Sequence, residues 1–235
     1  MGRLGHTGSS VPLRRELFPA GFGGEVMQLV WETWRTFSLH RDVRLEPRIT
    51  ALFRTALIDA YVDAGRSWFV TLEDPVTDPT FGTEEGRNDL NLYPPNHLGQ
   101  KLFFTLECKR LHVTTSSGFK HLADRYVLEG VQRFVDGQYS AGLPCGGMLG
   151  YVMDNAVAAA FKQVEAELAA RNAALKLKGK KTWDSPSAAL SGCSHSADTL
   201  HGRADGDFLL HHLLVGLPKA VSLGTAPSSR TTKSA

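Results

Sequence analysis

Residues 102–111, LFFTLECKRL, constrain the fold more than any other stretch of the chain. Leu102, Phe103, Phe104 and Leu106 form an almost unbroken apolar run, the pattern of a strand covered on both faces. Such a strand needs layers above and below it, which argues for an α/β domain built on a covered sheet. The same run carries Glu107 and Lys109 two residues apart, so in a strand both side chains leave from one face. Ionised groups in apolar surroundings cost on the order of several kcal/mol unless paired or metal-bound. An acid and an amine set into a covered strand therefore call for a chemical reason.

The totals leave that reason open. At 235 residues the chain is long enough for one large domain, and 42% hydrophobic with 21% charged residues is ordinary for a soluble globular protein. The net charge of +2 neither demands nor excludes a nucleic-acid partner, because a basic face can hide in a balanced total. Cys108, Cys145 and Cys193 form no C-x-x-C pair and suggest no disulfide framework, which fits a reducing compartment. No apolar stretch approaches the roughly 20 residues that span a bilayer, and the basic N-terminus has no apolar core after it. The expectation is a cytoplasmic protein with no membrane association.

Along the chain, residues 1–24 read as a flexible arm rich in Gly, Ser and Pro. Residues 25–38 repeat apolar positions at helical spacing, with Trp31 and Trp34 on the packing face. Residues 45–64 form the clearest helix, with Pro47 in its first turn and Gly65 after its end. A strand is expected at 67–72, a loop at 73–87, and an alternating strand at 88–93. There Asp89, Asn91 and Tyr93 point one way and Leu90 and Leu92 the other. After the 102–111 strand, 114–118 reads as a link and 119–136 as a helix. A turn through Gly146-Gly147 leads to a strand at 148–153, then a helix at 154–177 with Asp154 as a candidate cap. Residues 184–207 read as irregular, 208–217 as the last strand and 219–235 as a disordered tail. The expected organisation is a single domain over 25–218 with its core at about 46–153.

Phosphodiester cleavage needs a cation that polarises the phosphate and lowers the pKa of water. Magnesium prefers oxygen ligands and keeps several waters, so one or two carboxylates suffice. Asp89 and Glu107 can supply these if their strands are adjacent, the backbone carbonyl of Cys108 can add a third oxygen, and Lys109 can orient or deprotonate the attacking water. Asp89 followed, 18 residues on, by Glu107-Cys108-Lys109 resembles the PD-(D/E)XK nuclease superfamily, the fold of type II restriction endonucleases. The resemblance implies a restriction-endonuclease-like core of helix, three strands, helix and strand, extended here by an N-terminal helix and a C-terminal helix plus strand. It also implies a Mg²⁺- or Mn²⁺-dependent nuclease with Asp89 and Glu107 as metal ligands and Lys109 as the catalytic lysine. Glu46, on the first core helix, corresponds to an acid that members often aim at the metal, although an acid at a helix N-terminus also needs no function. Arg125, Gln132 and Arg133, on the helix after the E-x-K strand, are the candidates for substrate contact. Asn88 stands where the motif has Pro.

The expected function is a DNA endonuclease with a restriction or defence role, acting as a homodimer or beside a partner subunit. The rival is a catalytically silent or partner-dependent DNA-binding or assembly subunit on the same fold, which the near-neutral charge favours. Other polar groups have plainer readings. His211 and His212 suit satisfied histidines, Lys176–Lys181 a solvated element end, and Cys193 with His195 and His201 a loop rather than a metal cluster.

Overall fold

The computed structural model describes residues 11–77, 84–95, 101–188, 190–218 and 220–221. Its centre is a seven-stranded mixed sheet. Helices α1 (Val11–Leu17), α2 (Phe22–Thr36) and α3 (Glu46–Asp63), with the short strand β1 (Leu39–His40), precede it. Then come β2 (Phe69–Thr77), β3 (Glu84–Tyr93) and β4 (Phe104–Leu111), an antiparallel meander. A small hairpin, β5 (Val113–Thr115) and β6 (Gly118–Lys120), leads into α4 (Ala123–Tyr126), a π-helical turn (Val127–Val131) and α5 (Gln132–Val135). Strand β7 (Cys145–Val152) runs parallel to β4, with Glu107 opposite Met148 and Lys109 opposite Gly150. After α6 (Val157–Ala170) and β8 (Leu177–Lys178), the antiparallel pair β9 (Ser196–Arg203) and β10 (Gly206–Gly216) adds to the far side of β7. The order across the sheet is β2-β3-β4-β7-β10-β9-β8.

The covered strand has the layers its sequence demands. On one face α2 and α3 pack Val26, Val30, Ile49, Phe53 and Leu57 against Leu92, Phe104, Leu106 and Leu149. Phe53 sits among aromatic rings, 5.0 Å from Trp34 and 5.4 Å from Phe37. Removing such a buried ring costs about 3–5 kcal/mol. On the other face the α4–α5 helix and α6 pack Tyr126, Val131, Phe134, Val164 and Leu168 against Met148, Phe208 and Leu210. Gly146 and Gly147 lie inside β7, not in a turn. A Cβ on Gly146 would come within 2.7 Å of Phe134, and one on Gly147 within 2.9 Å of Phe104, so rings from opposite layers close on the strand.

Several expected boundaries move. The arm at 1–24 contains α1, and α2 begins at Phe22; residues 1–10 lie outside the described ones. The expected loop at 73–87 contributes to both arms of a long hairpin, which tolerates Pro75 because β2 is an edge strand. The 114–118 link is part of the β5–β6 hairpin, and the following helix starts only at Ala123 because Leu122 takes a left-handed φ of 60°. Asp154 does not cap α6 directly; it accepts the Ala156 N–H at 2.9 Å, and the helix starts at Val157. The expected irregular stretch 184–207 contains β9. Strand β10 is not the last, since β11 (Ala220–Val221) pairs in parallel with β1, within the expected tail. Residues 222–235 lie outside the described ones.

Candidate metal centre

Strands β3 and β4 are paired at Leu92–Phe104, Asn91–Thr105 and Leu90–Leu106. Beyond that point a side chain takes over: Asp89 Oδ2 accepts the Cys108 backbone N–H at 2.7 Å. This pins Asp89 against the β4 segment that carries Glu107 and Lys109. Lys109 Nζ donates to Glu107 Oε1 at 2.5 Å and to the Cys108 carbonyl at 3.2 Å. Glu46 reaches the same place from the first turn of α3. Its Oε2 accepts the Arg110 N–H at 2.6 Å, and its Oε1 lies 3.9 Å from Lys109 Nζ. The structure thus brings Glu46, Asp89, Glu107 and Lys109 together.

Burial governs the charges. Glu107, with its side chain 2% exposed, is pushed up to about 8, first by loss of water and then by the negative charge of Asp89. Burial also raises Asp89 and Glu46, against the pull of Lys109. Burial alone would lower Lys109, but Glu107, Asp89 and Glu46 together hold its ammonium above the usual lysine range. One buried ammonium faces three acids, and Arg133, whose Nη1 lies 3.9 Å from Glu107 Oε1, adds only a half-exposed cation. Burial first, and the charge of Asp89 second, therefore favour the protonated form of Glu107 while no further cation is bound. Glu107 Oε2 is sealed from solvent; as a carboxylate oxygen it accepts no hydrogen bond among the described residues, and with its proton Glu107 bonds Asp89. Two buried carboxyls that keep a proton between them where a cation could sit fit a ligand-binding role.

Among the described residues no three His, Cys, Asp or Glu side chains converge to enclose a metal by themselves. A cation here would rest on Asp89 and Glu107, with the Cys108 carbonyl and water completing an oxygen set of the kind magnesium accepts. Glu46 is engaged by Arg110 and Lys109 and supports the centre from behind.

The candidates for substrate contact divide. Arg133 borders Glu107 and is steadied by Tyr139, whose hydroxyl accepts from Arg133 Nη1 at 2.5 Å and donates to the Arg87 carbonyl at 2.9 Å. Arg125 pairs along its own helix with Glu129 at 3.8 Å, and Gln132 donates to Asp136 at 2.9 Å. Tyr139 carried no signal in the sequence, because nothing in a turn after Gly137 marks a tyrosine as a clamp. The polar side of β3 continues the site: Thr105 donates to Asn91, and Asn91 and Tyr93 donate to Asp74 at 2.9 and 3.1 Å. Only its alternating pattern was visible beforehand.

The histidines make a separate, buried chain of hydrogen bonds. His201 Nδ1 bonds the Leu175 carbonyl at 2.7 Å, and an oxygen that only accepts requires the proton on Nδ1. Thr199 must then donate to His201 Nε2 at 2.7 Å and accept from His212 Nε2 at 2.8 Å. Tyr126 donates to His212 Nδ1 at 3.1 Å, which closes the chain. Every member is satisfied with both imidazoles neutral. Burial lowers His201 to about 4 and His212 well below the usual value, so both stay neutral. With Nδ1 on the Leu175 carbonyl and Nε2 on Thr199, His201 has no nitrogen free to join Cys193 in a metal cluster. The lysine run ends in surface pairs, Lys178 with Asp207 and Lys180 with Asp184.

Among the described residues no helix is long and apolar enough to cross a membrane. Comparison with protein-family models, curated proteins and solved structures yields no match to this chain.

Proposed function

We propose that this chain is a metal-dependent nuclease that hydrolyses phosphodiester bonds, acting on DNA in restriction or defence. One observation carries the reading: Glu107 is buried beside Asp89 and hydrogen-bonded to it, with its pKa pushed up to about 8, in a centre where three acids surround one buried ammonium. The order of elements supports it, since α3, the β2–β3–β4 meander, the α4–α5 helix and the parallel strand β7 follow the restriction-endonuclease-like sequence of helix, three strands, helix, strand.

Asp89, Glu107 and the Cys108 carbonyl would hold Mg²⁺ or Mn²⁺. When bound, the cation supplies Lewis-acid polarisation of the phosphate and a hydroxide at neutral pH. The chain's own groups account for the rest. Glu107 must release its proton to become a ligand, so occupancy weakens as pH falls through about 8. Lys109, held protonated by three carboxylates, serves as a hydrogen-bond donor and positive charge at the phosphoryl oxygens rather than as a base. Arg133, held by Tyr139 at the edge of the centre, is the residue to meet the next phosphate. Cutting both strands of a duplex takes two such centres, which favours a homodimer.

The test offers purified protein duplex DNA, single-stranded DNA and RNA with Mg²⁺ or Mn²⁺. Asp89→Ala and Lys109→Ala are expected to lose cleavage by at least about 100-fold, equivalent to roughly 3 kcal/mol, while staying folded. Cleavage that persists in Lys109→Ala would sink the proposal. A second reading has its own support, because the 2.5 Å hydrogen bond from Lys109 already gives Glu107 Oε1 a partner without a metal. It makes the chain a catalytically silent or partner-dependent DNA-binding or assembly subunit. Absence of Mn²⁺ binding at the two carboxylates, with a stable co-purifying partner, would favour that version.

A further inference from the structure

Away from the acid centre, where the first turn of α2 meets β7 and β10, lies a pocket of about 380 Å³. Gly23, Gly24, Cys145 and His211 border it, and Phe18 and Leu209 give it apolar walls. His211 stands on β10 and is 4% exposed. Its Nδ1 bonds Asp198 Oδ1 at 2.9 Å, while Asp198 Oδ2 accepts the Ser187 backbone N–H at 2.7 Å. Burial opposes the ionisation of Asp198, but the hydrogen bonds from His211 and Ser187 hold it below the usual carboxylate range. A carboxylate only accepts, so the ring proton stands on Nδ1 and Nε2 carries a lone pair.

That lone pair is unclaimed. Among the described residues Nε2 takes part in no hydrogen bond, although the rest of the ring is enclosed. The ionised partner on Nδ1 polarises the ring and makes Nε2 a stronger acceptor. Nε2 lies 3.1 Å from where a Cβ on Gly23 would stand, so α2 is held against the imidazole edge. The helix brings the complementary groups. Its N-cap, Gly21, makes no side-chain bond, and the Gly21 carbonyl accepts the Glu25 N–H. The N–H groups of Gly23 and Gly24, in the turn before Glu25, have no acceptor among the described residues. One wall of the pocket therefore offers an acceptor, and the helix end offers donors.

We propose that this pocket binds a small uncharged carboxamide. Its N–H is donated to His211 Nε2, its carbonyl oxygen accepts from the Gly23 and Gly24 N–H groups, and its short hydrocarbon body lies against Phe18 and Leu209. An amide carries its donor and its acceptor on separate atoms, which suits an acceptor and donors on separate walls. A carboxylate has no proton for Nε2, and its charge would face the ring's lone pair with ionised Asp198 behind it. A lone hydroxyl must serve both walls from a single oxygen. The apolar walls select a ligand with a carbon body. The site does not depend on the nuclease reading.

The test titrates the isotope-labelled full chain at neutral pH, without divalent metal, with butyramide, butyrate and butanol, following the histidine ring-nitrogen signals. Butyramide is expected to saturate a shift of the His211 Nε2 signal toward its hydrogen-bonded position, with the proton still on Nδ1. It should bind at least about tenfold more tightly than butyrate or butanol, or roughly 1.4 kcal/mol. His211→Phe keeps an aromatic ring without the acceptor and should weaken butyramide by a similar factor. If that variant fails to fold, the parent's Nε2 signal and the ranking of the three compounds decide alone. An unmoved Nε2 signal, butyrate or butanol binding as tightly as butyramide, or full affinity in the folded variant would each overturn the proposal.

Discussion

Two of the polar clusters buried among the described residues are built on opposite terms. The chain Tyr126–His212–Thr199–His201–Leu175 closes on itself: each donor has an acceptor, no member is charged, and its proton positions follow from one carbonyl. The Glu46–Asp89–Glu107–Lys109 cluster does not close. It holds three acids around one buried ammonium, and Glu107 and Asp89 meet only by keeping a proton that a cation would displace. A satisfied buried network specifies a core, whereas an unsatisfied one stores a demand that a ligand can meet. Burial alone does not separate structure from function here; the balance of donors, acceptors and charge does.

The sharpest way to break the comparison is Thr199→Val, which keeps the shape and removes the hydroxyl at the centre of the closed chain. It leaves His201 and His212 each with an unpaired buried nitrogen, and a loss of about 2–5 kcal/mol in denaturant unfolding is expected. A loss below about 1 kcal/mol would mean that the network is not closed as described.

Glu107→Gln probes the open cluster and should act in the opposite direction. The folded-state value of Glu107, about 8, lies above that of the unfolded chain, so the native state keeps a proton that the unfolded state has already released. The contribution of Glu107 to the stability of the metal-free protein therefore falls as pH rises from about 4.3 to 8, by on the order of a few kcal/mol. The glutamine should flatten that decline and, near pH 8, leave the metal-free variant as stable as the parent or more so. A parent that gains stability over this window, with no change in the variant, would contradict the open character of the site.

The smallest effect belongs outside both clusters. Arg125 is exposed and pairs with Glu129 at the surface, so Arg125→Ala should change stability by no more than about 0.5 kcal/mol. In a DNA-binding titration it should also matter less than Arg133→Ala, which removes the cation beside Glu107.

The same contrast explains what could be read before the structure. The apolar run ending in Glu107 and Lys109 announced a covered strand with a charged end, and the mixed α/β layering follows from it. Strand β9 was illegible because its buried positions are Ala197, Asp198, Thr199, His201 and Arg203. Hydropathy reads those as loop, and only partners distant in sequence, such as Tyr126 and Leu175, make them a core. Strand β2 was cut short by Pro75, which an edge position permits. Asp89, Glu107 and Lys109 stood out by their spacing, whereas Glu46 came in only through the resemblance, since an acid at the head of a helix carries no signal of its own. Tyr139 depends on a turn bringing it beneath Arg133, which no local pattern records.

The π-helical turn at Val127–Val131 connects these two clusters in a further sense. Tyr126, just before it, faces His212, while Arg133, just after it, faces Glu107. A residue added or deleted within that turn would rotate the two ends relative to each other by about 100°, the angular step of an α-helix. The turn therefore works as a phase setting: it lets a single short helix keep one side chain in the closed chain of hydrogen bonds and another at the open acid centre.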